Sequence, residues 1–229
     1  MELSALGVVA RNLMAHSLPS TVLASSLLSL FCVAFWLPPA VFAAPRDSFP
    51  GRRVGGGTRG ECAARPIVHL VPSSSVFAPG DPSVIALLEG PSSNPQPLEI
   101  DLRVASADGG MASASAAPVL QRELPGAKNR LVLLSLPSSQ KTLRWESSYL
   151  CGQGGGDEFG FITASAPPAL SLLLPGSGDG DDRNLQQVLA NLQESCGGTA
   201  ALQPLKTALQ LDDDVIDDSW PEQVTVQCF

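Results

Sequence analysis

The residues of this 229-residue chain whose types could do chemistry are five cysteines, two histidines and several small groups of carboxylates. Cys62, Cys151, Cys196 and Cys228 are widely separated in sequence, whereas a zinc site usually draws paired ligands from positions a few residues apart. Four such cysteines in an exported chain suggest two disulfides, and three connectivities are open. Cys196 and Cys228 would pin the end of the chain to a helix if they were joined. His69 sits in the apolar run Ile67-Val68-His69-Leu70-Val71, and no G-x-S-x-G nucleophile motif accompanies it. It reads as a hydrogen-bonded strand residue rather than as a base. Asp157 and Glu158 are adjacent, so on a strand they would point to opposite faces, which is poor geometry for paired catalytic carboxylates. Asp179, Asp181 and Asp182 form one acidic group and Asp212, Asp213 and Asp214 a second. Each is a weak calcium candidate through its oxygen ligands, but Arg183 stands where an EF-hand would place its fifth-position ligand. A solvated acidic surface is the simpler reading.

A glycine-rich stretch adds one further possibility. Gly55, Gly56, Gly57 and Gly60 formally satisfy GxGxxG, but Arg52 and Arg53 precede them where a dinucleotide site needs an apolar strand, and no helix pattern follows. No cofactor is therefore expected. Consecutive glycine amides can instead form an anion-binding nest, with Arg52, Arg53 and Arg59 offering forked hydrogen bonds to a carboxylate or phosphate. The competing reading has greater weight: the glycines allow a tight path against a sheet, and the arginines pair with the chain's own acidic tail.

The elements that must position these residues fall into four stretches. Residues 1–43 read as a signal peptide: Thr21 to Leu37 is uncharged, Pro38-Pro39 breaks it, and Val41-Phe42-Ala43 precedes a cut after Ala43. The alternative is an uncleaved anchor, although the uncharged run is slightly short for a bilayer. Residues 44–60 are a Gly/Arg-rich arm. Residues 61–166 read as short strands separated by Pro, Gly and Ser turns. Leu98 to Val104 is the clearest strand, alternating Leu98, Ile100, Leu102 and Val104 with Glu99, Asp101 and Arg103. Ile67–Val71, Val84–Leu88 and Arg130–Leu136 are apolar enough to be buried strands, Thr142–Cys151 places Leu143, Trp145, Ser147 and Tyr149 on one face, and Phe159–Thr163 makes a last strand. Residues 167–229 change period. Leu185, Val188, Leu189 and Leu192 mark a helix from about Asp182 to Cys196, Thr199–Leu211 a second helix, and Gln223–Gln227 a terminal strand. The fold class expected is mainly β, an antiparallel β-sandwich immunoglobulin-like in outline, with a small helical C-terminal subdomain.

Charge is unevenly divided. The whole chain carries −8, and residues 151–229 hold twelve acidic against two basic side chains. This balance argues against nucleic acid, which requires a surplus of Lys and Arg to displace phosphate counterions.

Gly51-Arg52-Arg53-Val54-Gly55-Gly56-Gly57-Thr58-Arg59-Gly60 followed by Cys62 resembles the opening signature of an uncharacterised, mainly cyanobacterial exported family, catalogued as domain of unknown function 928. Leu134-Ser135-Leu136-Pro137, then Trp145 six residues before Cys151, match its later landmarks. Gly160-Phe161 stands where that family usually has Gly-Trp. The match covers roughly residues 50–165. The acidic tail and the bland strand Val84–Leu88 depart from it. The resemblance implies export, a β-rich module and a Cys62–Cys151 bond, and it implies no activity. The function expected is an exported interaction module for a protein or envelope component, with contact to membrane only through an uncleaved leader. The alternatives are an envelope hydrolase using Asp157 and Glu158, and a weakly calcium-binding structural protein.

Overall fold

The structure, a computed structural model, describes residues 49–56, 65–105, 117–150 and 167–229, all within one compact unit. The fold is mainly β, with eleven strands and two helices among the described residues. The strands are β1 (Val54–Gly55), β2 (Ile67–His69), β3 (Val76–Phe77), β4 (Val84–Glu89), β5 (Leu98–Val104), β6 (Leu120–Leu124), β7 (Arg130–Ser135), β8 (Leu143–Tyr149), β9 (Ala169–Leu173), β10 (Thr199–Ala201) and β11 (Gln223–Cys228). The helices are α1 (Gly180–Gln193) and α2 (Leu202–Ala208). Sheet I has the order β1-β2-β4-β7-β11-β10 and sheet II the order β3-β9-β8-β5-β6.

The two sheets pack as a sandwich, and the alternation in the sequence shows how. Leu98, Ile100 and Leu102 of β5 are buried, while Glu99, Asp101 and Arg103 are only partly covered. All six residues of β4 are buried, so both of its faces must be covered. Sheet II covers one face. On the other side α1 packs against β4 through the same core that takes in Leu185, Leu189 and Leu192. Burying each such leucine contributes roughly 1.5–3 kcal/mol.

The sheets are mixed rather than wholly antiparallel. β11 runs parallel to β7, with Val226 opposite Leu131, and β3 runs parallel to β9. A parallel pair needs a long crossover, and the one from β7 to β11 passes through β8, β9, both helices and β10. The stretch 167–229 therefore supplies β9 to sheet II as well as β10 and β11 to sheet I.

Local chemistry sets the boundaries of the C-terminal elements. α1 starts at Gly180 because Asp179 caps it: its carboxylate accepts from the amides of Asp181 and Asp182, and Asp182 answers from the third helical position. α2 is shorter than the leucine spacing suggests. Thr199–Ala201 are drawn into an antiparallel pair with Gln223–Thr225, so the helix begins only at Leu202. Pro204 then lies in its first turn, where an amide would have no partner in the helix. A disulfide joins Cys196, just past the end of α1, to Cys228 at the end of β11, with Cα atoms 5.7 Å apart. Cys62 and Cys151, and the strand expected at Phe159–Thr163, lie outside the described residues. No helix among the described residues is long and apolar enough to cross a membrane.

Edge strand β6 carries its own protection. Arg122 pairs with Ile100 and so projects on the core-facing side of the strand, yet it remains exposed. A charge in that position discourages another strand from adding to the edge.

Candidate functional site

The glycine-rich arm is stitched into both sheets. β1 pairs with β2, and Arg52 exchanges backbone hydrogen bonds with Leu170 of β9 at 2.9 and 2.7 Å. A Cβ on Gly55 would lie 2.1 Å from the Ala169 amide nitrogen, so only glycine permits this approach. Gly56 has φ +91°, and its amide donates to Pro167. The Arg53 guanidinium donates to the carbonyls of Leu209 and Gln210, both at 2.9 Å, and so satisfies the C-terminal end of α2. Gly55, Gly56 and Arg53 therefore serve the fold, and Arg52 is exposed. Gly57 and Arg59 lie outside the described residues.

Half of the named acids serve the fold. Asp179 and Asp182 cap α1, and the buried Asp182 carboxylate also accepts from the Ala78 amide. Lys206 pairs with Asp213, and the lysine's hydrogen bond, aided by its charge, holds that exposed carboxyl below the usual range. Asp181, Asp212 and Asp214 are exposed. Among the described residues, no three His, Cys, Asp or Glu side chains are grouped closely enough to hold a metal ion. Asp157 and Glu158 are outside the described residues.

His69 lies between the sheets with no solvent exposure. Its ring stacks on Trp145 at 3.5 Å between centroids. Nδ1 is 2.8 Å from Ser171 Oγ and Nε2 is 2.9 Å from Ser147 Oγ, which also accepts from the Trp145 indole N–H. Burial holds the imidazole well below its ordinary pKa, so it is neutral at pH 7. This is a Ser–His contact that no substrate can reach. Its role is to tie β2 to β8 and β9. The sequence pointed to a hydrogen-bonded strand histidine but gave no sign of its partners, which lie 78 and 102 residues away.

Near one end of the sandwich lies a second buried polar cluster, which the sequence reading did not single out. Glu89 at the end of β4 sits between Arg130, at the start of β7, and Arg65, just before β2. Arg130 donates through Nε to Glu89 and through one terminal nitrogen to Gln227 of β11. Arg65 donates through Nε to the Gly90 carbonyl, and its guanidinium carbon lies 5.1 Å from the centre of the Tyr149 ring. Burial raises the Glu89 carboxyl pKa, and the two arginines oppose that shift. The available signal was a charged residue abutting an apolar strand, Glu89 after Val84–Leu88 and Arg130 before Leu131–Leu134.

At the opposite end the sheets open into a cleft of about 360 Å³. It is lined from the start of β4, the ends of β7 and β9 and the start of β8. Leu136, Leu143, Leu173 and Leu174 supply apolar surface, and Ser83, Ser139 and Gln140 supply neutral polar groups. Asp81 and Lys141, both exposed, are the charged members of the lining. The lining thus combines apolar surface with neutral hydrogen-bonding groups and two charges, the composition of a small-ligand cleft. No protein-family model matches the chain, and no curated protein matches it.

Proposed function

We propose that this protein is an exported, disulfide-bonded β-sandwich interaction module that binds a protein or envelope component through the cleft beside Ser139. The cleft carries this reading, since its apolar surface and neutral hydroxyl and amide groups come from strand ends of both sheets. Loops held at strand ends by a rigid sandwich are common carriers of recognition. The histidine is sealed in the core, and the capping acids already have partners. Export is supported by the Cys196–Cys228 bond, which persists in an oxidising compartment, by the signal-peptide pattern ending at Ala43, and by the resemblance to the exported family.

The test is calorimetric titration of the purified protein with envelope polysaccharide, peptidoglycan fragments and extended peptides. Binding by the native chain should be lost in Ser139→Trp, which fills the cleft, and retained in Arg52→Ala. Loss of binding in Arg52→Ala with retention in Ser139→Trp would move the site to the arm. A chain isolated from the envelope that starts at Ala44 would support export, and one that keeps Met1 with free thiols would overturn it.

A further inference from the structure

Among the described residues, five buried side-chain polar atoms lack a hydrogen-bond partner, and all five belong to one cluster. They are both terminal nitrogens of Arg65, one terminal nitrogen of Arg130, the Tyr149 hydroxyl and Glu89 Oε1. Buried polar groups are rarely left unpaired, because each orphan costs roughly 1–3 kcal/mol. Such a concentration at one place calls for an explanation of its own.

Four of the five orphans are donors, and the one acceptor, Glu89 Oε1, already lies 3.6 Å from Arg65 in an ion pair. Among the described residues the cluster also holds two guanidinium groups against one carboxylate, leaving one positive charge in excess. Arg65 is 5% exposed, Arg130 1% and Glu89 fully buried. A buried charge without a counterion is far more costly than a neutral orphan. Water would satisfy the donors but would leave the charge. A group that would complete the described set is an acceptor that is also an anion. Arg65 offers two terminal nitrogens without a hydrogen-bond partner on one planar fork, one of them 3.6 Å from Glu89 Oε1, and that fork matches the two oxygens of a carboxylate.

We infer that Arg65, Arg130 and Tyr149 form a receptor for a small carboxylate anion, set beside Glu89 at the end of the sandwich opposite the cleft. Arg65 takes the carboxylate with its terminal nitrogens, while Arg130 and the Tyr149 hydroxyl complete the set of donors. The Gly90 carbonyl and the Gln227 side chain each accept from one arginine, so the two guanidinium groups are positioned by the fold rather than by the ligand. The site is independent of the proposed cleft, and either can fail without the other.

The test uses the folded full chain at pH 7 and fixed ionic strength, with sodium chloride replaced stepwise by sodium formate. Melting temperature should rise and saturate, by about 5–10 °C when formate reaches roughly 100 times its Kd. Arg65→Met should abolish the rise. Tyr149→Phe removes one donor without changing charge and should weaken formate binding about tenfold, which keeps the test decisive if Arg65→Met does not fold. The proposal is overturned if formate has no effect, if both variants respond as the native chain does, or if phosphate at matched ionic strength stabilises equally.

Discussion

The sandwich encloses two polar clusters of similar size whose bonding differs. Around His69 each polar side-chain atom has a partner, and the group is neutral: imidazole, two hydroxyls and an indole N–H form a closed set. Around Glu89 the charges of the described residues do not cancel, and five atoms stand without hydrogen-bond partners. His69, Ser147, Ser171, Glu89, Arg65 and Arg130 are all buried, so burial alone does not distinguish the two clusters. Closure does. A satisfied neutral network fixes the register of the strands that contribute to it, whereas an unsatisfied charged one holds interaction energy that a guest can release.

The comparison is broken most severely by Glu89→Met. That variant leaves two buried guanidinium groups with no carboxylate, and chemical denaturation should show a loss of about 3–5 kcal/mol. A loss below about 1 kcal/mol would mean that solvent reaches the cluster and that the contrast is false.

The two clusters should also differ in their response to pH. The folded pKa of His69 is depressed, so its neutral form is bound in the native state while the unfolded chain takes up a proton below about pH 6.5. Its contribution is present above that pH and is lost as pH falls towards the folded pKa, at up to about 1.4 kcal/mol per unit. Glu89 behaves oppositely. Its folded pKa is raised, so its contribution is complete below the ordinary carboxyl range and is lost as pH rises through the folded value. His69→Gln should remove the part of the acid sensitivity that begins near pH 6.5. Stability profiles of native and variant that run parallel between pH 5 and 7 would show that His69 does not carry it.

The smallest effect expected is that of Ser171→Ala, which deprives His69 Nδ1 of its partner and opens the closed set at one point. The expected loss is about 1–2 kcal/mol by denaturant titration. A neutral result would mean that the hydroxyl contributes nothing and that stacking on Trp145 is sufficient.

Much of this was legible from residue pattern, and the remainder was not, for identifiable reasons. The alternation of Leu98–Val104 is reproduced by β5 to the residue, and the leucines of α1 face the core as their spacing indicates. β6 has apolar residues only at Leu120 and Leu124, and an exposed edge imposes no alternation, so it left little trace. β9 lies in the short apolar run Ala169–Leu174 bordered by prolines, which periodicity cannot assign to a strand. β1 and β3 are two residues each, too short for any period. The parallel pairs depend on partners far away in sequence. The polar clusters were hidden for the same reason: Ser147 sat visibly on the core-facing side of its strand, but nothing local linked it to His69, or Arg65 to Glu89 and Arg130.

The placing of β11 has a consequence for how the molecule is made. β7 is almost wholly apolar, and one of its two neighbours comes from residues 223–228, roughly ninety positions further along the chain. Until that segment has been made, the backbone of Leu131, Val132 and Leu133 offers an open template to any other extended chain nearby. Productive folding therefore favours holding the chain unfolded until its C-terminal strand has emerged, a requirement that a post-translational export route would meet.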